Sequence, residues 1–279
     1  MTTLVRPRSL AEALELRAAH PDYMVMAGCT DLMVNANHRA APAGILDLWR
    51  LPGLGGVTVD ASGARIGAGT TWLEVQRAAP LAPWSPLIAA AREIGALQIQ
   101  ARATLGGNVG TSSPVGEPLP ALLALDAELE VASIRGTRRI PYREFCTGYR
   151  KTALAADELI VSAHLPAIAP HTHLAWKKVG TRRAQSISKV MGAAAIVVDG
   201  GEITDALVAL GAVADRPIRL SEVEQAVRGL APARAADAAR QIMRAVIRPI
   251  DDIRSTAAYR LGVAENLVAR FFSDLMSYS

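Results

Sequence analysis

The chain has 279 residues, 51% of them apolar and 20% charged, a balance that fits a compact mixed α/β protein and excludes disorder over any long stretch. Its formal charge of +4, from 30 Lys and Arg against 26 Asp and Glu, is too weak and too dispersed to specify a nucleic acid or an acidic partner. The two cysteines, Cys29 and Cys146, have no C-x-x-C spacing, so the chain alone holds neither a four-thiolate iron–sulfur cluster nor a thiolate zinc site.

Taken in order, the first residues read as a short strand and an amphipathic helix, without a signal-peptide core and with no later apolar run of transmembrane length. The expected address is the cytoplasm, with no membrane span. Ser9 and Glu12 have capping-box spacing, and Leu10, Ala13, Leu14, Leu16 and Ala18 form a stripe, which predicts a helix over 9–20. Tyr23 to Met26 is a short strand running into Ala27-Gly28-Cys29-Thr30-Asp31-Leu32, a small-residue turn before a predicted helix start, where an anion is favoured. Strands follow at 45–48, 57–59 and 64–66, and helices from about Thr71 and over 86–94. Gly67-Ala68-Gly69 reads as strand-end packing, because no third glycine and no phosphate-binding turn come after it. The segment 98–102 leads to a second small-residue turn, Thr104-Leu105-Gly106-Gly107-Asn108.

Further along, a helix is predicted over 118–125, and strands at 128–131 and 138–141 pair through the Arg135-Gly136 turn. Another strand covers 158–165, and the proline-punctuated stretch 166–170 is the expected linker between domains. Beyond it come strands near 173–179, 193–198 and 206–212. Helices then follow over 221–230, 232–246, with Pro232 at the first helical position, and 255–274. Strands first and helices after imply an antiparallel sheet backed by a helical layer.

Arg135, Arg138, Arg139, Arg143, Arg150 and Lys151 have no interleaved aromatic platform and read as a solvated hairpin and loop. Lys177, Lys178, Arg182, Arg183 and Lys189 form a second basic cluster that fits either plain solvation or a cationic group beside a cofactor. His20, His38, His164, His171 and His173 read as loop histidines rather than ligands, so no metal site is expected. No G-x-S-x-G, H-E-x-x-H, P-loop or G-x-G-x-x-G motif occurs. What stands out is the pair of small-residue turns, each expected to follow an extended segment and to present backbone N–H groups unshielded by side chains. Two such turns can grip two phosphates, and glycine lets a diphosphate approach the main chain.

The run Thr104-Leu105-Gly106-Gly107-Asn108-Val109-Gly110-Thr111-Ser112-Ser113-Pro114-Val115-Gly116-Glu117-Pro118-Leu119-Pro120 resembles the signature of the FAD-binding subunits of molybdenum hydroxylases, the family of xanthine dehydrogenase and aerobic carbon monoxide dehydrogenase. Ala27 to Leu32 resembles that family's A-G-G-T-D-L diphosphate loop. Further similar segments are Glu158-Leu159-Ile160, Ala175-Trp176-Lys177 with Arg182 and Arg183, Ile187-Ser188-Lys189-Val190, Pro249, Asp252-Ile253-Arg254-Ser255 and Tyr259-Arg260, so the resemblance spans the chain.

The resemblance implies an α+β fold: a two-part FAD-binding domain of the vanillyl-alcohol oxidase/PCMH type over 1–168, then a carbon monoxide dehydrogenase flavoprotein-like domain over 171–279. It implies that Ala27, Gly28, Cys29, Thr30, Asp31 and Leu32 wrap the FAD diphosphate, and that Thr104, Leu105, Gly106, Gly107 and Asn108 hold it from the other face. Glu117 would reach the sugar-like portion, Ile94 and Ile160 would make apolar contacts, and Lys177 would donate to the cofactor or its entrance. No side chain of this subunit need act as a catalytic acid or base. Two departures stand out: Cys29 replaces the usual second glycine and reads as a packed thiol, and Glu117 replaces the usual Asp.

By the same resemblance a large molybdopterin-binding partner oxidises the substrate, and a small [2Fe–2S] partner delivers electrons to FAD for release to NAD, O₂ or a quinone. The lack of clustered cysteines argues against the subgroup resembling 4-hydroxybenzoyl-CoA reductase. Two other readings stay open, a self-sufficient flavin oxidase of the vanillyl-alcohol oxidase type and a flavin-binding assembly protein without turnover.

Overall fold

A computed structural model describes residues 2–38 and 40–278, and among these the side chains of all but 35, 37, 38, 277 and 278; the predicted loop histidine His38 therefore lies outside the described side chains. Four sheets, one parallel and three antiparallel, and ten α-helices among the described residues form two lobes and a third layer.

The first lobe is small. β1 (Thr3–Val5), β2 (Met24–Met26) and β3 (Gly44–Asp47) make a parallel sheet of order β1-β3-β2, crossed by α1 (Leu10–Ala19). Ser9 caps α1 by accepting from Glu12 N at 3.2 Å, but the Glu12 carboxylate accepts from Arg8 N at 2.7 Å, so only half of the predicted capping box closes. Between β2 and β3, residues Leu32–His38 wind as a 3₁₀ helix, tighter than the α-helix expected there.

The second lobe is a five-stranded antiparallel sheet of order β4-β5-β10-β6-β7. Its strands are β4 (Val57–Asp60), β5 (Gly63–Gly67), β6 (Glu128–Ser133), β7 (Gly136–Pro141) and β10 (Leu159–Pro166), and β8 (Cys146–Gly148) with β9 (Lys151–Thr152) forms a separate hairpin. Between β5 and β6 lie α2 (Trp72–Arg77), α3 (Ser85–Arg92), α4 (Leu97–Gln100), α5 (Leu105–Thr111) and α6 (Leu119–Ala124), and a single turn, α7 (Tyr142–Phe145), follows β7. Thr71 starts α2 with a complete capping box to Glu74, which satisfies two otherwise unpaired amides. Trp72, Leu87, Leu105, Leu119 and Leu122 are fully buried under the sheet, each stabilising the lobe by about 2 kcal/mol.

A bulge on β10 joins the two lobes. Its register against β6 slips between Ile160 and Ser162, so the residues on either side of it do not simply alternate. Leu159 and Val161 pack with Ala13, Leu46 and Leu48 of the first lobe, whereas Ile160 turns with Ala163 and Leu165 into the main core.

The third layer is an antiparallel sheet in chain order: β11 (Thr172–Val179), β12 (Val190–Asp199), β13 (Glu202–Gly211) and β14 (Ile218–Arg219). α8 (Ser221–Val227), α9 (Pro232–Val246) and α10 (Ala257–Ser273) follow. Alternation decides what each strand face meets. Val190, Ala194 and Ile196 pack with Ala239, Met243 and Phe272 of the helices, while Ala193, Ala209, Leu174 and Trp176 join the core of the second lobe. The sheet is thus covered on both sides, where a single helical backing was expected. No helix among the described residues is long and apolar enough to cross a membrane.

Candidate cofactor-binding site

A cavity of about 750 Å³ lies between the two lobes, within the range of small-molecule and cofactor pockets. Ala27 to Leu32 line it from the first lobe, and Thr104, Gly106, Gly107, Asn108, Glu117 and Ile160 from the second. Twelve of the fifteen residues that the sequence singles out therefore meet in one place.

The first turn begins where β2 ends. Leu48 N donates to Met26 O at 2.7 Å, after which the chain leaves the sheet. The N–H groups of Gly28, Cys29, Thr30, Asp31 and Leu32 reach no acceptor among the described residues, so they form a run of donors open to a ligand. A Cβ on Gly28 would lie 1.8 Å from the backbone oxygen of Arg102, so the turn can press against the 102–103 segment only with glycine there. Cys29 has φ +66°, the left-handed region where a Cβ is strained. Its thiol donates to Ala27 O at 3.5 Å, and burial pushes its pKa up, with Arg102 opposing. A neutral thiol results at physiological pH.

The second turn differs from expectation. It is no loop after a strand but the start of α5, with Thr104 as its cap, and its donors are spent within the protein. Leu105 N donates to Thr70 O at 3.0 Å, Gly106 N to Ala68 O at 2.7 Å, Gly107 N to Thr104 Oγ1 at 3.1 Å and Asn108 N to Thr104 O at 3.0 Å. Its glycines serve approach instead: a Cβ on Gly106 would lie 2.7 Å from Ala68 Cβ. Its one unsatisfied polar atom is Asn108 Oδ1, which is buried and without a hydrogen-bond partner. Gly67-Ala68-Gly69 also does more than pack, for Ala68 and Gly69 line the cavity.

Three predicted residues stand apart. Leu105 and Ile94 are buried in the main core, where they support the wall without lining it. Lys177 is exposed and does not line the cavity. Strand alternation puts its neighbour Lys178 on the face of Leu174 and Trp176, and there Lys178 Nζ donates to Glu117 Oε1 at 3.0 Å and to Glu93 O at 3.1 Å. Burial pushes the Glu117 carboxyl up, against the pull of Lys178, and Trp176 Nε1 donates to Glu117 O at 3.3 Å. The third layer thus positions Glu117 through Lys178.

Other lining residues carried no local signal. Arg150, taken from sequence as part of a solvated tract, forms a two-pronged pair with Asp31 at 3.1 and 3.2 Å across the mouth. The rest of that tract matches the hairpin reading, with Arg138 on Glu158 and Arg139 on Glu128. Arg138 holds the Glu158 carboxyl, also at the cavity, below its ordinary range. Arg17 and Ile187 complete the wall. Arg17 did leave a trace: it continues the Leu10, Ala13, Leu14 spacing of α1.

The described geometry has close relatives. A model of the FAD binding domain in molybdopterin dehydrogenase matches residues 1–168, and one of the CO dehydrogenase flavoprotein C-terminal domain matches 175–275. The chain is 31% identical to a xanthine dehydrogenase FAD-binding subunit of Escherichia coli O157:H7, over 98% of this chain and 95% of that protein. It is 28% identical to the nicotinate dehydrogenase FAD-subunit of Eubacterium barkeri, over 97% and 94%. Among solved structures, reconstituted CO dehydrogenase from Oligotropha carboxidovorans contains a chain matching with TM-score 0.91 at 26% identity, over 97% of this chain and 96% of that one.

Proposed function

We propose that this chain, which belongs to the family of FAD-binding subunits of molybdenum hydroxylases, is the electron-transfer member of a heterotrimer. A small partner with [2Fe–2S] clusters supplies the electrons, a large molybdopterin-binding partner oxidises the organic substrate, and NAD, O₂ or a quinone is the final acceptor. The assembly belongs in the cytoplasm, and the chain divides into domains over 1–168 and 171–279. Bound FAD exchanges electrons singly or in pairs, which is the redox chemistry this subunit needs.

The chain's own residues fit that group. One observation carries the reading: five successive unpaired amides, Gly28 to Leu32, line the cavity. Amides suit the diphosphate, and the turn cannot accept a side chain at Gly28. Glu117 would accept from a cofactor hydroxyl, and Ile160 would pack on an apolar face. Gly106 and Gly107 keep the opposite wall low. Asp31 and Arg150, bridged across the mouth, limit water at the phosphates.

The test uses the full chain, purified and titrated with FAD. One FAD per chain with quenched flavin fluorescence is expected, and bleaching by NADH under anaerobic conditions would identify a nicotinamide acceptor. A chain that takes up no FAD contradicts the assignment of the cavity. Coexpression with a large molybdopterin-binding chain and a small [2Fe–2S] chain should yield a complex whose flavin bleaches on addition of the organic substrate.

A further inference from the structure

Thirteen large apolar side chains are exposed among the described residues, and five of them gather at the cavity mouth, which is not the single scatter of an ordinary surface. Val25 and Ile187 are exposed and also line the cavity, which puts them on its rim, one from the first lobe and one from the third layer. Met33 and Val34, 67% and 71% exposed, directly follow the lining residue Leu32 in the 3₁₀ helix. Tyr149, 63% exposed, precedes Arg150 in the β8–β9 hairpin, and the pair between Arg150 and Asp31 holds that hairpin tip beside the first turn. Met33, Val34 and Tyr149 do not line the cavity, so a cofactor that fills it leaves them bare.

The uncompensated charge on this face is positive. The three carboxylates that line the cavity, Asp31, Glu117 and Glu158, are each tied to a cation. Lys151, next to the hairpin tip, and Arg182 and Arg183, on the loop that carries Ile187, are exposed and form no ion pair among the described residues. An apolar rim set among unpaired cations fits a protein with an acidic face, where a small anion would need the cations alone. We infer that this rim is the docking surface of the small iron–sulfur partner, an inference that rests on the proposed function above. Electron transfer weakens steeply with distance, so the chain that reduces the flavin must seat where no wall of this subunit intervenes. The mouth is that place. A [2Fe–2S] cluster held by four thiolates carries net negative charge, which suits the unpaired cations. The large partner passes its electrons through the clusters and has no need to reach the rim.

Binding of the FAD-loaded full chain to a small [2Fe–2S] chain and, separately, to a large molybdopterin-binding chain is measured by surface plasmon resonance. Met33→Ser combined with Val34→Ser, and Tyr149→Ser alone, should each weaken small-chain binding by about tenfold or more, the scale of an apolar anchor in an interface. Lys151→Glu combined with Arg183→Glu should weaken it too and flatten its dependence on salt. FAD uptake and the melting temperature should stay as they are, because these side chains are exposed and none lines the cavity. Small-chain affinity unchanged in the serine variants overturns the inference alone, as does a loss confined to the large chain or to self-association of this chain. If the unmodified FAD-loaded chain binds no small [2Fe–2S] chain, the proposed function and this inference fall together.

Discussion

At Ala27 to Leu32 the chain leaves a strand with successive amides unpaired, whereas at Thr104 to Asn108 it enters a helix whose first amides are already bonded to Thr70, Ala68 and Thr104. Both segments are glycine-bearing, and both line the same cavity. A glycine-rich turn binds an anion through its backbone only where the fold has left the donors free; elsewhere glycine serves close approach. The first wall is consequently incomplete without a ligand. The second is largely satisfied beforehand, apart from Asn108 Oδ1.

The contrast predicts which substitutions cost binding and which cost stability. Gly28→Ala has the largest effect, because its Cβ would meet a backbone oxygen at 1.8 Å. A loss of about 3 kcal/mol in urea unfolding, together with lost FAD uptake, is expected. Gly107→Ala meets only the rotatable Thr104 hydroxyl at 2.9 Å and should cost about 1 kcal/mol at most.

On the satisfied wall, Lys178→Met leaves Glu117 buried without its cation and should also cost about 3 kcal/mol. Lys177→Met, one residue away but exposed, should change unfolding by less than about 0.5 kcal/mol. If the two behave alike, the assignment of Lys178 fails.

Asn108→Ala should leave the melting temperature of the free chain nearly unchanged, since Oδ1 has no partner to lose. The smallest effect is a gain. Cys29→Gly relieves the left-handed strain of a non-glycine residue and should raise the stability of the free chain by about 1 kcal/mol.

Local rules made much of the fold legible. The 128–141 hairpin, the helix start near Thr71 and the Pro232 helix start all depend on neighbours in sequence, and the structure has each of them. The fate of the Leu105 and Gly106 amides was not legible, because their acceptors Thr70 and Ala68 come from a segment over thirty residues earlier in the chain. Two adjacent glycines at a helix start also look like a loop to propensity alone. Lys178 could have been found: the predicted strand already contained Leu174 and Trp176, and alternation places Lys178 with them. The Asp31–Arg150 pair could not, since nothing local joins residues 119 apart.

Residue-resolved amide hydrogen exchange, with and without FAD, tests the division of labour between the two turns most directly. The N–H groups of Gly28 to Leu32 should exchange rapidly in the free chain and become protected by FAD, while those of Leu105 to Asn108 should be protected in both states. Protection gained at 105–108 and absent at 28–32 would contradict it.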